Sequence, residues 1–381
     1  KLLRLPTFTK TFLSRTQVFH ILFSIFAASL QRKVFMPAKE RDSNMELLRI
    51  TAMLLVITFH VDFISFDFPT DQLSIYSSPI SAYLKIWMTN ATFTCVDVFI
   101  ILSGWYGIHP RVQRLTEFLF QVFFYSILSY ILFLIFDANV HFSWHFLCHL
   151  IVTDDYWFIP IYLSLYLFSP VLNAFIKSAS QRQYLITICC ALALQSMYGW
   201  LSPNEQGFLE GRSPMSFCIL YLLARYIHLY ADGLKSLTKK QITLIFIVIN
   251  CLAAVIVFCG YYFHLQMIAD TIYKFSSLFT ISLAVLIVLF FYHVRLKSKI
   301  VNWIAASSFA VFLVHCFPYF NSEIYHTVIK YFYLHYDGML FAGLTALFII
   351  AIYAGSILID QLRIALWKVV SKKFLAPQQT A

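Results

Sequence analysis

The chain has 381 residues, of which 60% are hydrophobic, 18% aromatic and only 12% charged, with a formal net charge of +10. Soluble domains carry about 25% charged residues, so this composition excludes an ordinary soluble protein and points to a polytopic membrane protein. The positive charge does not argue for nucleic acid, because the Lys and Arg residues fall in alternate short loops, as the positive-inside rule requires, and form no single patch.

Residues 1–44 read as a basic tail, with a native start at Met36 or Met45 equally compatible with the sequence. Its apolar stretch, 18–30, is too short to span a bilayer comfortably and lacks a small-residue cleavage site. The apolar windows then predict an all-α, polytopic integral membrane bundle of about ten transmembrane helices. They run over 45–64, 84–107, 115–136, 156–176, 184–201, 214–230, 240–262, 273–294, 302–331 and 338–360. One membrane domain, 45–370, accounts for nearly all of the chain, and 371–381 forms a C-terminal tail.

Arg111 and Arg114, Lys177 and Arg182, Lys235, Lys239 and Lys240, Arg295, Lys297 and Lys299, then Lys368, Lys372 and Lys373 share one side with the N-terminus. The intervening loops hold Asp67, Asp71, Asp137, Asp154, Asp155, Glu205, Glu210, Asp270, Glu323 and Asp337. Both termini are therefore expected in the cytoplasm. Trp87, Trp144, Trp157, Trp200, Trp303 and Trp367 sit near span ends and suit an interfacial belt. No HExxH, GxSxG, phosphate-loop or Cys/His metal spacing occurs, and the eight cysteines read as small buried hydrophobes. An acyl thioester on Cys316, beside His315, is the less favoured reading, since adjacent helical residues point about 100° apart.

Ionisable groups inside apolar helices carry the functional reading. The first span, NMELLRITAMLLVITFH from Asn44 to His60, places Arg49 and His60 on one face, roughly 16 Å apart along the axis. His60 serves either packing or proton transfer, for which imidazole is suited near neutral pH. In the second span, Asp97 carries a carboxylate that costs about 2.5–3.5 kcal/mol at membrane depth unless paired or hydrated. It is expected to face the interior, either as a helix-packing bond or as the acid that orients His60. Ser103, Gly104 and Gly107 follow, and the small residues allow close helix approach. Arg111 and Arg114 either signal topology or join Arg49 in a cationic pocket for phosphates. Pro160 and Pro170 are expected to kink the fourth span, with Ser164 and Ser169 bonding back to their own helix.

In order along the chain, the Arg49 to His60 pair, VDVFIILSGW, RVQR, YWFIPIYLSLYLFSPVLN from Tyr156 and SSFAVFLVHCFPYF from Ser307 resemble the acyltransferase 3 family of bacterial membrane O-acyltransferases. The resemblance covers about residues 44–370. It implies ten spans in the inner membrane, an acyl-CoA co-substrate, usually acetyl-CoA, and transfer to a hydroxyl of a surface polysaccharide or glycolipid. By position it marks Arg49 and His60 as the essential pair, Asp97 and Ser103 as the second-span motif, and Arg111 and Arg114 as donor-side cations. Tyr156 stands where many relatives have a histidine or aromatic pair, and the fused soluble domain of some relatives is absent from this sequence, so the acceptor stays open. Trp157, Tyr162 and His315 are candidates for the acceptor side, with interfacial anchoring the favoured alternative for Trp157 and a packing role the equal alternative for His315. A proton-coupled transporter or flippase of glycan intermediates is the competing class, weakened by the lack of an internal repeat.

Overall fold

The computed structural model describes residues 42–61, 65, 72–136, 141–144, 156–201, 207–317 and 320–374. The N-terminal tail, the C-terminal residues from 375, and the acidic loop positions Asp67, Asp71, Asp137, Asp154, Asp155 and Glu205 lie outside that set. Every described element is helical. Each of the ten apolar windows holds a helix at its expected place.

The first is α1, Ser43–Phe59. After the short α2, Gln72–Ser77, the second window holds α3, Pro79–Phe93, and α4, Cys95–Tyr106, which together form a 28-residue span. Pro79 sits in the first turn of α3, where a missing N–H leaves no bond unmade. Gly107, at φ +78°, ends α4 in a backbone conformation that a side chain would strain. Then come α5, Val112–Phe136, α6, Phe158–Ser178, and α7, Gln181–Leu201. The helix α8, Pro214–Tyr230, is capped by Ser213, whose hydroxyl accepts from the Ser216 N–H. The four-residue α9, Asp232–Lys235, leads to α10, Lys239–Tyr262, which begins with a Thr238/Gln241 capping box. The shorter α11, Gln266–Ile272, and the apolar α12, Leu278–Tyr292, follow.

The expected ninth span, 302–331, is not one straight helix. It divides into α13, Lys299–Ala306, α14, Ser308–His315, a π-helical turn, Phe320–Tyr325, and α15, His326–His335. The two halves of this segment are bent 85° from each other. Pro318 stands between them in the sequence and lacks the N–H that a continuing helix would need. The last helix, α16, runs Gly338–Phe374, fourteen residues beyond its expected end at 360.

Among the described residues, five helices suffice by length and hydropathy to cross a membrane, or six if the bent pair counts as one span. These are Pro79–Tyr106, Val112–Phe136, Phe158–Ser178, Lys239–Tyr262 and Gly338–Ser371. The windows of α1 and α12 hold only 17 and 15 helical residues, respectively. Two-thirds of the apolar window in Pro79–Tyr106 is buried, against a third or less in the other four, so this span is interior and the others face outward. Both α1 and α4 lie at the centre: α1 packs against α3, α4, α12, α13, α14 and α16. Gly104 lets α4 and α8 touch, since a Cβ there would lie 2.6 Å from the Tyr221 carbonyl oxygen and 2.7 Å from Ala224 Cβ. That is the close approach expected of the small residues.

Pro170 has no N–H for the Tyr166 carbonyl, and the Ser169 hydroxyl donates to it instead at 2.7 Å. Ser164 likewise bonds the Pro160 carbonyl at 2.8 Å. Both back-bonds fall where the sequence places them.

Candidate functional site

The central helices enclose a cavity of about 810 Å³. Its walls follow helical periodicity: Arg49, Met53, Val56 and His60 from α1 and the residue after it; Cys95, Phe99, Ser103 and Tyr106 from α4; Phe158, Tyr162 and Tyr166 from α6. The Tyr106 hydroxyl donates to Asp42 at 2.9 Å, at the start of α1, while Phe59 meets Phe93, near the start of α4, at 5.2 Å between ring centres. The two helices are therefore antiparallel. Arg49 lies level with the end of α4, and His60 lies near its beginning.

One end of the cavity is cationic. Arg49 and Arg114 line it together with His109, from the loop after α4. Arg49 pairs with Glu46 at 2.6 Å, whereas Arg114 has no ion pair among the described residues. His109 is held below the usual imidazole range, first by partial burial and then by the positive charges of Arg225, Arg114, Lys177 and Arg111. Four cations acting on one loop histidine make this mouth an attractive place for a polyanion. Arg111 is exposed and does not line the cavity; it contributes from its rim. Its backbone N–H donates to the Tyr166 hydroxyl at 2.8 Å, which anchors the start of α5 to α6.

A side wall carries groups from distant sequence. Arg363 of α16 makes a two-pronged pair with Asp360 at 2.9 and 3.0 Å and approaches Glu117 of α5 at 3.7 Å. Gln121 and Tyr125 also donate to Asp360, at 3.4 and 3.2 Å. Three donors thus converge on Asp360 Oδ1 in a charge pair that is almost fully buried, while Arg363 Nη1 has no hydrogen-bond partner among the described residues.

The opposite end is aromatic. Trp157, Tyr273 and Phe275 line it beside an Arg212–Glu210 ion pair. Trp157 lies 5.7 Å from Phe275 between ring centres, so it forms cavity wall where the sequence favoured an interfacial anchor. Tyr162 stacks on Phe158 at 5.6 Å, and its hydroxyl is 3.3 Å from Ser103 Oγ, which itself donates to the Phe99 carbonyl.

His60 stands in the turn that follows α1, on the aromatic side: its neighbour Phe59 meets Phe93, which stacks on Phe275 at 4.5 Å between ring centres. The His60 ring centre is 5.1 Å from that of His315, which is fully buried at the end of α14. The Nδ1–H of His315 donates to the Val311 carbonyl at 2.7 Å, leaving Nε2 as the lone-pair nitrogen, 3.3 Å from Cys316 Sγ. Behind the two histidines runs a polar belt. Asn321 donates to the His315 carbonyl at 3.1 Å and accepts from His326 Nε2 at 2.7 Å; His326 Nδ1 takes a bond from the Ser65 hydroxyl at 2.6 Å. The Ser65 N–H donates to the His60 carbonyl at 3.2 Å. Two further bonds fix the frame: Tyr325 donates to the Ile57 carbonyl at 2.7 Å, and Tyr156, at the residue singled out as a departure, donates to the Leu313 carbonyl at 3.0 Å.

Of the nine residues picked from sequence, Arg49, His60, Ser103, Arg114, Trp157 and Tyr162 line one cavity, and His315 touches His60 from behind. Asp97 does not join them. It is fully buried in the first turn of α4, outside the cavity wall, and neither of its oxygens nor His60 Nδ1 has a hydrogen-bond partner among the described residues. The neighbour that His60 meets is a second histidine. Sequence reasoning passed over Arg212, Arg363, His109, Asn321 and His326; of these, only Asn321 and His326, which extend the polar run begun by His315 and Cys316 in an apolar window, gave a visible signal.

A family model described as "Acyltransferase domain" matches residues 42–360. Comparison with curated proteins gives no match, and neither does comparison with solved structures.

Proposed function

The chain belongs to the acyltransferase 3 family and is a membrane acyltransferase, and from that premise we propose that it moves an acyl group, acetyl in the simplest case, from acyl-CoA to a hydroxyl of a surface polysaccharide or glycolipid. The observation that carries this reading is the polarity of the cavity: a cationic mouth at Arg49 and Arg114, and about 16 Å deeper by helical rise an imidazole beside an aromatic end. That order suits a long donor with phosphates at one end and a thioester at the other. Guanidinium groups hold phosphate oxygens through paired N–H bonds, and Arg114 has that capacity uncommitted. Aromatic faces at Trp157 and Phe275 suit the apolar faces of a sugar ring.

In the proposed reaction His60 takes the proton of the acceptor hydroxyl as its oxygen attacks the thioester carbonyl. The C–S bond breaks, and the proton passes from His60 to the departing CoA sulfur. Ester and free CoA are the products. His315 holds the His60 ring from behind, the positioning role first considered for Asp97. We further propose the bacterial inner membrane, with ten spans and both termini in the cytoplasm. Under that arrangement the Arg114 mouth opens to the cytoplasmic pool of acyl-CoA, and the Trp157 end faces outward.

Two measurements test this. Membranes carrying the protein should move labelled acetyl from acetyl-CoA to envelope glycan above the level of membranes lacking it. Purified protein should bind CoA more tightly than dephospho-CoA, because one phosphate fewer reaches the arginines. Absence of both activities would remove the acyl-CoA reading.

A further inference from the structure

The cavity wall beside His60 holds a donor set whose third member, Cys316, has no part in the proposed acyl transfer. One ring nitrogen each from His60 and His315, and the sulfur of Cys316, all lie within 4.8 Å of one another. His315 and Cys316 are neighbours in sequence, yet α14 ends between them, and the sulfur comes to 3.3 Å from His315 Nε2. The bond from His315 Nδ1–H to the Val311 carbonyl fixes the tautomer that presents Nε2 as a lone pair, the usual support for a metal-ligating histidine. His60 and Cys316 both line the cavity, which provides an entrance and room for a further ligand. No carboxylate belongs to the group, so the donors are nitrogen and sulfur only, which disfavours Mg²⁺ and Ca²⁺ and favours a borderline-soft ion.

We propose that His60, His315 and Cys316 bind Zn²⁺ through three protein ligands, with a fourth position open to the cavity. Zinc bonds of about 2.0–2.3 Å to nitrogen and sulfur put tetrahedral ligands roughly 3.3–3.8 Å apart. Cys316 Sγ and His315 Nε2, 3.3 Å apart, already have that spacing, and the remaining separations, at most 4.8 Å, close by about 1 Å on binding. The Cys316 thiol gives up its proton to solvent as the Zn–S bond forms, and no redox change occurs. A His60 lone pair committed to zinc is withdrawn from proton transfer, so the ion acts as a reversible inhibitor. The binding statement stands alone; the inhibition rests on the proposed acyl transfer.

The test uses the full chain without an added histidine tag and Co²⁺ as a spectroscopic stand-in. One equivalent should give the visible bands of a tetrahedral site and a thiolate-to-cobalt charge-transfer band, both displaced by Zn²⁺. Cys316→Ser should lose the charge-transfer band, and His315→Ala should weaken binding about tenfold or more. Absence of these bands, or a band undiminished in Cys316→Ser, overturns the site. A second readout needs no variant: Zn²⁺ should shield Cys316 from alkylation in the intact protein, as mapped by peptide mass, and protection confined to other cysteines overturns the site equally. For inhibition, acyl transfer with and without Zn²⁺ is compared within each protein. The ratio should fall in the intact protein, recover on chelation and stay near one in Cys316→Ser. Binding without any fall overturns the inhibition alone. Failure of every preparation to transfer acetyl overturns the inhibition together with the acyl-transfer reading, while the cobalt spectrum still decides the site.

Discussion

Gly104→Ala adds one carbon at the crossing of α4 and α8, and the structure says what that carbon meets. It would lie 2.6 Å from the Tyr221 carbonyl oxygen, 2.7 Å from Ala224 Cβ and 3.0 Å from Tyr221 Cα. Two of the three are backbone atoms, so no flexible side-chain end can swing aside and the helices must separate. Overpacking of this kind costs about 1–3 kcal/mol, against which the better helix propensity of Ala returns only about 0.5–1 kcal/mol. A matched control is Gly355→Ala in α16, where the new carbon meets nothing within 4 Å and only the propensity gain remains. In detergent, scanned at one fixed rate because membrane proteins unfold irreversibly, Gly104→Ala should lower the midpoint by about 2–8 °C and Gly355→Ala should leave it unchanged or raise it. The shift has a functional counterpart. Tyr221 accepts from the Ile108 N–H at 2.9 Å and donates to Asn173 at 2.7 Å, holding the loop beside the cationic mouth, so CoA affinity should fall with stability. A Gly104→Ala protein as stable as its parent would refute the argument that close approach at this crossing fixes the mouth.

Other expectations follow from the same geometry. Arg114→Ala should weaken CoA binding by about 10- to 100-fold, the value of one charged hydrogen-bonding group, with Arg114→Lys recovering only part of it; Arg111→Ala, at the rim, should cost less. Equilibrium binding at fixed ionic strength checks both. The depressed His109 should respond to a bound polyanion by taking up a proton, since negative charge raises an imidazole's pKa. Affinity for CoA should therefore rise as pH falls through the interval between the free and bound pKa values, and His109→Gln should flatten that slope relative to the parent. Tyr156→Phe leaves the buried Leu313 carbonyl without its 3.0 Å bond and should cost about 1 kcal/mol of stability while loosening α14, which carries His315.

Much of this was legible in the sequence because helical periodicity speaks about one helix at a time. Arg49 and His60 fall on one face by arithmetic, and the structure lines the cavity with both, together with Ser103 and Tyr162. What periodicity does not supply is which remote helix meets that face. Arg363 reaches the wall from more than three hundred residues beyond Arg49, and His315 reaches His60 because α14 packs on α1. The continuous apolar window 302–331 concealed a broken segment, since hydropathy averages over the turn that brings Cys316, Asn321 and His326 to the site. For Asp97 the insertion penalty correctly required burial but carried no direction within the bundle. Its carboxylate makes no hydrogen bond to His60, and burial alone was the legible part.

In the proposed reaction everything turns on the imidazole of His60 acting as the base for acyl transfer. Its most direct test is labelled acetyl transfer from acetyl-CoA to envelope glycan in membranes carrying intact protein or His60→Ala, at matched expression and with CoA binding measured on the same samples. Transfer should be lost in His60→Ala, down to background, while CoA binding through Arg114 is retained. Transfer that persists in His60→Ala at the intact level would contradict it.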